Sequence, residues 1–336
     1  MGRPATQKDI ARLVGVSQAA VSQVLSRKPG AMVAEGTRER IFSAARDLAY
    51  TPDPAARSLR TGKTQTIATL IPDITNPFYP AFQLGVQGVA DAHEHDLILY
   101  NTDSAAAKER KSLASLAMRR VDGAIVVLFH TSSRFLAPLL EAGTPVVRLT
   151  ASAPRDTEWP LDSLYLNNEA AARAAVTFLI ERGHERIGLI TADVGPGRER
   201  ARGYHAALLA AGFTPQPRLT RSTDFTFEGG REAARALLEG AARPSAIFAA
   251  NDLMALGVMA AAHDLGLSIP QDLAVVGFDD LLAASLVTPA LTTVTQFSQR
   301  LGRRAAEMLF ERLDGRETGP GRREEAPFQL IARGSA

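Results

Sequence analysis

TQKDIARLVGVSQAAVSQVL, residues 6–25, sets two short apolar periodicities on either side of a glycine. Thr6 suits a helix N-cap, and Asp9 stands three positions on, in capping-box spacing. Ile10, Leu13 and Val14 then supply an apolar helical face. Gly15 breaks that helix, and Val16 is placed as a core contact inside the turn. Ser17 caps a second helix, whose Val21, Val24 and Leu25 again follow i, i+3, i+4 spacing until Pro29-Gly30 ends it. Helix, glycine-containing turn and helix at this spacing fit a DNA-reading helix-turn-helix. They also fit a helical hairpin in some other all-α module.

Charge shifts the balance between the two. The 336-residue chain is nearly neutral as a whole, at +2. Residues 1–63, however, hold eleven basic side chains against five acidic ones, a balance of +6, and the remainder carries −4. A basic segment attached to an ordinary soluble body is the footprint of polyanion binding, because neutralised phosphates supply most non-specific DNA affinity. Around the opening stretch, a third helix is expected over about residues 37–49, with Ile41, Ala45 and Leu48 inward. A fourth starts where Asp53 precedes Pro54, which suits the first helical position.

From Thr66 the rhythm changes to apolar strands alternating with Ala-rich amphipathic helices. Expected strands are 66–71, 97–100, 123–128, 146–149, 186–190, 246–249 and 273–278. Near-continuous apolar strands separated by helices argue for doubly wound parallel sheets, so the fold class is α/β. The length of this portion exceeds one ordinary core and implies two lobes. Ligands then belong beyond the carboxyl ends of the strands, where PDITNPFY follows one strand and ANDLMALG another.

Composition excludes much else. With 46% hydrophobic residues the chain has ample material for a core, and without cysteine it has no disulfide framework, thiolate zinc site or cysteine nucleophile. MGRPATQKDIARLVG lacks the apolar stretch of a secretory signal, and no window spans a membrane, so a soluble cytoplasmic protein is expected. The GKT at Gly62–Thr64 lacks the earlier glycine of a phosphate loop, since Arg57 stands there. His93-Glu94-His95-Asp96 reads as a solvated charge cluster at a helix end rather than a metal site. No G-x-S-x-G or HExxH is present; neither catalysis, nor a cofactor, nor a metal is expected. The rival classes are a sugar-handling α/β enzyme, such as a kinase with a regulatory DNA-binding segment, and a plain solute-binding receptor. The first needs a phosphate-binding loop, the second an export signal.

Over essentially its whole length the sequence resembles the lactose-repressor (LacI/GalR) family of bacterial transcription regulators. The matching pieces are DIARLVGVSQAAVSQVL, TRERIFSAARDLAYTPDPAARSLRTG, DITNPFY, RRVDGAIVV, GHERIGLIT, ANDLMALG, VVGFDD and PALTTV, in that order. The resemblance implies a helix-turn-helix headpiece (1–51), a hinge helix and linker (52–63) and a two-lobed core of type I periplasmic-binding-protein fold. The first lobe would span 64–160, completed by about 292–324, and the second 161–291, completed by about 325–336.

It further implies a repressor that binds a pseudo-palindromic operator in double-stranded DNA as a homodimer, under control of a small-molecule effector. A sugar or related polyol is the first expectation for that effector and a nucleobase the second. Gln18 and Ala19 would face base edges, Gln18 pairing with adenine and Ala19 touching a thymine methyl. Gln23 stands where the family commonly has a guanine-reading Arg, so adenine is favoured there too. Lys8, Ser17 and Ser22 fit phosphate-positioning roles, Thr6 and Ser26 join the DNA-contacting set, and Ala20 replaces a common Thr. Residues 54–60 resemble the hinge helix, with Arg57 and Arg60 at the DNA and Leu59 as the apolar wedge entering the minor groove. Phe78 and Phe225 would pack on the effector, Arg200, Asn251 and Asp279 would grip it, and Tyr79 joins the effector-binding set. Arg148, at the end of its strand, is expected to bring a positive charge to the cleft. Asn167 replaces a common Asp, and His95 takes the place of a turn glycine, which asks for a left-handed backbone.

Overall fold

A computed structural model describes residues 3, 5–25, 33–51, 62–118, 121–154, 160–240 and 243–336. The chain forms two compact units, Met1–Thr64 and Gln65–Ala336. The hinge residues Arg57, Leu59 and Arg60, the expected fourth helix and Ser26 lie outside the described residues.

The first unit contains α1 (Gln7–Val14), α2 (Gln18–Leu25) and α3 (Glu35–Asp47). The capping box forms: the Asp9 carboxylate accepts the Thr6 N–H at 2.9 Å and the Thr6 hydroxyl at 2.6 Å. These bonds hold the Asp9 carboxyl below its ordinary range. Gly15 takes the left-handed conformation (φ 74°) that a side chain would resist, and its N–H closes on Ala11 O at 2.9 Å. Ile10, Ala11, Val14, Val21, Val24, Ile41 and Ala44 make the small core, with Val16, Leu25, Ala45 and Leu48 partly buried against it. Leu13, expected inward, is 60% exposed. On a helix turning 100° per residue, Ile10, Ala11 and Val14 define one stripe, and Leu13 falls off its far edge. Arg40 ties α3 to the end of α1 by donating to Val14 O at 2.7 Å.

In the second unit, β1 (Thr66–Ile71), α4 (Phe78–Ala92), β2 (Asp96–Asn101), α5 (Ala106–Ala117), β3 (Gly123–Val127), α6 (Ala137–Glu141), β4 (Val146–Thr150) and β5 (Asp162–Leu166) build the first lobe. A parallel six-stranded sheet runs β11-β5-β4-β3-β1-β2, where β11 is Arg323–Ala326. The second lobe holds α7 (Asn168–Glu181), β6 (Ile187–Thr191), α8 (Pro196–Ala210), β7 (Thr220–Ser222), α9 (Phe227–Leu238), β8 (Ala246–Ala249), α10 (Asp252–Asp264), β9 (Ala274–Val276) and α11 (Leu282–Leu286). Its parallel sheet runs β7-β6-β8-β9. The chain then returns through β10 (Thr293–Thr295) and α12 (Ser298–Leu313), and β10 pairs antiparallel with β12 (Gln329–Ile331).

Two boundaries differ from expectation. β5 lies in the first sheet, so the crossing to the second lobe comes after Leu166 rather than at 161. β11 keeps the chain in the first sheet to Ala326, beyond the expected 324. The left-handed residue expected at His95 is Glu94 (φ 56°), while the His95 N–H bonds Ala90 O at 2.9 Å. The helix end is thus closed one residue earlier, and His95 needs no strain. The charge cluster divides: His93 stacks on Phe310, with centroids 4.0 Å apart, and His95 faces Asp122 at 3.4 Å.

Candidate functional site

On the first unit, α2 presents its polar face outward. Gln18, Ala19 and Gln23 are exposed while Val21 and Val24 fill the core, and Ser17 accepts the Ala20 N–H at 3.2 Å as the helix cap. Lys8 is exposed, and Thr6 and Ser22 are half-buried. This arrangement leaves two amides and a methyl on the surface of a short rigid helix, the size and chemistry that a major groove admits.

In the second unit a cavity of about 420 Å³ lies between the lobes, at the carboxyl ends of the strands. Phe78, Tyr79, Arg200, Phe225, Asn251 and Asp279 all line it. Phe78 and Tyr79 open α4, where the Asn76 side chain accepts the Phe78 N–H at 3.1 Å, and their rings meet edge to face at 5.1 Å. Arg200 is buried in the second turn of α8. Its Nε donates to Asn168 Oδ1 at 2.8 Å, Nη1 donates to Ala250 O, and the guanidinium lies over the Phe278 ring at 3.6 Å. Asp279 stands 3.6 Å from Arg200 and accepts Gln296 Nε2 at 2.5 Å.

Burial pushes the Asp279 carboxyl up to about 7, despite the pull of Arg200 in the other direction. Burial also raises Asp252 to about 6, while Thr293 Oγ1 and the Leu281 N–H hold that carboxylate at 2.6 and 2.8 Å. The Tyr79 hydroxyl is raised by the same cause, strengthened by Asp279. Asp279 and Asp280 both carry positive φ, 120° and 57°. Such strain in non-glycine residues persists where the surroundings fix it, and it concentrates at binding sites.

Asn251 spends its amide locally, donating to Phe225 O at 2.9 Å and accepting the Met254 N–H at 2.8 Å. It therefore caps α10 and fixes the Phe225 loop as well as lining the cavity. Arg148 is absent from the cavity wall. Strand alternation turns Leu149 towards the cavity and Arg148 to the opposite face of the sheet, where its Nε donates to Ser163 at 2.8 Å. The cavity residues that the sequence analysis does not name include Phe129, Asn168, Gln296 and Gly195. Gly195 (φ 51°) lies so close to Phe129 that a Cβ there would sit 2.7 Å from the ring. Phe129 in turn is placed by Glu109, a buried carboxylate that accepts the Phe129 N–H at 2.8 Å.

Residues 6–53 match the model of bacterial regulatory proteins of the lacI family, and residues 176–336 match a periplasmic binding protein-like domain. The ribose operon repressor of Escherichia coli K12 is 36% identical over 99% of this chain and 100% of its own length. The chain belongs to the lacI family. Among solved structures, the Lac repressor dimer bound to operator and the anti-inducer ONPF superposes with a TM-score of 0.87 at 26% identity, covering 99% of each chain. A LacI-family regulator from Enterococcus faecium with bound ribose gives 0.72 at 28% identity, covering 80% of this chain and 98% of that one. Among the described residues, no helix of this lacI-family chain is long and apolar enough to cross a membrane.

Proposed function

We propose that the chain is a ligand-responsive transcriptional repressor, which binds a pseudo-palindromic operator as a cytoplasmic homodimer and changes its DNA affinity when a small molecule fills the cleft. The observation that carries this reading is the buried Arg200–Asp279 pair opening on a cavity at the carboxyl ends of two parallel sheets. A buried ion pair is costly to keep for stability alone, and this position is where doubly wound folds take their ligands. In the same chain, α2 exposes Gln18, Ala19 and Gln23. Lys8, Ser17 and Ser22 hold phosphates beside them, with Thr6 and Ser26. Leu59, flanked by Arg57 and Arg60, is the minor-groove wedge. Two such headpieces related by a two-fold axis read half-sites about one helical turn apart.

The effector is a sugar or related polyol, with a nucleobase second. The names of the ribose operon repressor and of the ribose-bound neighbour support a sugar. Phe78, Tyr79 and Phe225 stack on its apolar faces, while Arg200 and Asp279 take its hydroxyls. The cleft binds its ligand and does not transform it.

The test begins by selecting sites from random duplexes with the full-length chain and titrating the winner in gel shifts. Gln18→Ala is expected to relax preference at one base pair by about 1–3 kcal/mol. Leu59→Ala is expected to erase discrimination between the selected site and random DNA while leaving the melting curve in place. Selected-site affinity unmoved by both substitutions, and by every sugar added, would sink the reading.

A further inference from the structure

Arg200 is held in the cleft by a side chain that reaches both lobes. Asn168 is the first residue of α7, just past the crossing that follows Leu166, and it is 3% exposed, as is Arg200. Its Oδ1 accepts Arg200 Nε at 2.8 Å. Its Nδ2 donates to Ala151 O at 2.9 Å and to Leu166 O at 3.3 Å. Ala151 follows β4 and Leu166 ends β5, so both carbonyls belong to the first lobe. Ala250, Phe278 and Asp279, which also meet Arg200, belong to the second.

The chemistry of this position is narrow. A guanidinium only donates and a peptide carbonyl only accepts, so the partners fix which way the amide points. A carboxylate there keeps the acceptor for Arg200 but turns an oxygen towards two carbonyls. A leucine of similar size has neither group. Among side chains of this size and shape, asparagine supplies the acceptor and the donor on separate atoms. Moving the lobes apart breaks one end of the bridge. Either the amide stays with the first-lobe carbonyls and Arg200 loses an acceptor, or it stays on Arg200 and leaves the carbonyls behind. The hold on the guanidinium therefore depends on how the lobes are arranged.

We propose that Asn168 is a positioning residue that couples the effector's grip to lobe closure. By tying Arg200 to the ends of β4 and β5, it makes the ligand's contact with Arg200 stronger in one lobe arrangement than in the other. A ligand shifts a two-state equilibrium only through such a difference. This rests on the effector reading above and names the residue that carries its signal.

Calorimetric titration of the full-length chain, with and without a saturating duplex of the selected operator, tests this in the wild type, Asn168→Asp and Asn168→Ala. Ribose, glucose and adenine are the probes, and the one that binds the wild type most tightly is carried through. Asp suits the first turn of a helix, so Asn168→Asp should keep the melting temperature. Its carboxylate still holds Arg200, now in every lobe arrangement. Probe affinity without operator is therefore expected to stay within about threefold of the wild type, while the operator's effect on that affinity shrinks about fivefold, the worth of one buried hydrogen bond. Asn168→Ala removes the acceptor as well, and is expected to lose about fivefold in probe affinity together with the coupling. An operator effect unchanged in either variant overturns the proposal and leaves the effector reading standing. So does probe affinity lost in step with coupling in Asn168→Asp, which would make Asn168 an ordinary contact in the cleft. Binding by none of the probes, or wild-type binding that the operator leaves unchanged, overturns both.

Discussion

A carboxyl group raised by burial makes folding itself sensitive to pH, and Asp279 is the clearest case here. It titrates near 7 in the folded chain, against 3.8 for the free side chain. Between those values the native state holds a proton that the unfolded chain has released. Stability is therefore greatest at the acid end of the window and declines as pH rises towards 7. Asp252 adds a slope of the same sign that ends near 6. Asp279→Asn should flatten the decline: between pH 5 and 8 the melting temperature of the wild type should fall relative to the variant. Parallel curves would mean that Asp279 titrates as an exposed carboxylate does. The same residue shows what single positions reveal before folding. Asp279, Asn251 and Arg200 were legible because each follows a strand or opens a helix in a recognisable motif. Arg148 is not legible because the apolar run places its strand only to within one residue, ending at Thr150 rather than 149, and leaves its facing open, and a shift of one residue reverses the facing of a strand. Phe129 gave no signal, since an aromatic after an apolar strand looks like more core until Gly195 and Phe225 from the other lobe are seen against it.

At the scale of elements, Ser17 carries two duties that substitution can separate. Its hydroxyl accepts the Ala20 N–H at the start of α2, and the same group is proposed to hold a DNA phosphate. Ser17→Ala should cost the headpiece about 1 kcal/mol, whereas Ser17→Gly should cost only a few tenths, because glycine itself tolerates the cap position. Amide exchange along α2 would register that difference. Operator affinity, by contrast, should drop in both variants; a drop confined to Ser17→Ala would leave the cap as its only role. The element pattern also explains which strands could be read. β1, β3, β6 and β8 are buried along nearly their whole length, so their sequences are continuous apolar runs. β11 is REEA at a sheet edge, where charge protects against unwanted pairing and hides the strand from any apolar pattern. β7 is only TRS, too short to carry a period.

For the whole molecule, the two-lobed core is joined by three crossings, after Leu166, through β10 and between β11 and β12. Closure on a ligand must therefore be absorbed at a few segments while the sheets move as rigid bodies. A ligand acts on DNA affinity only through a difference in its affinity for the DNA-competent and incompetent states, a coupling of about 1–3 kcal/mol, or roughly 5–150-fold. Thermodynamic linkage makes that coupling reciprocal. If the effector weakens operator binding by some factor, saturating operator must weaken effector binding by the same factor, and the direction is shared whether the ligand releases DNA or promotes its binding. The basic first unit, at +6, adds a discriminating condition. Operator affinity should fall steeply with salt, in proportion to the phosphates neutralised. If the effector is the neutral sugar proposed above, its affinity in the absence of DNA should barely respond, because an uncharged ligand in a buried site releases few ions. Calorimetry of the effector with and without a saturating operator duplex, and of the operator with and without saturating effector, at two ionic strengths, reads all three quantities. Effector affinity unchanged by saturating operator, a coupling factor of one, would show that the ligand and the operator do not bias the same equilibrium.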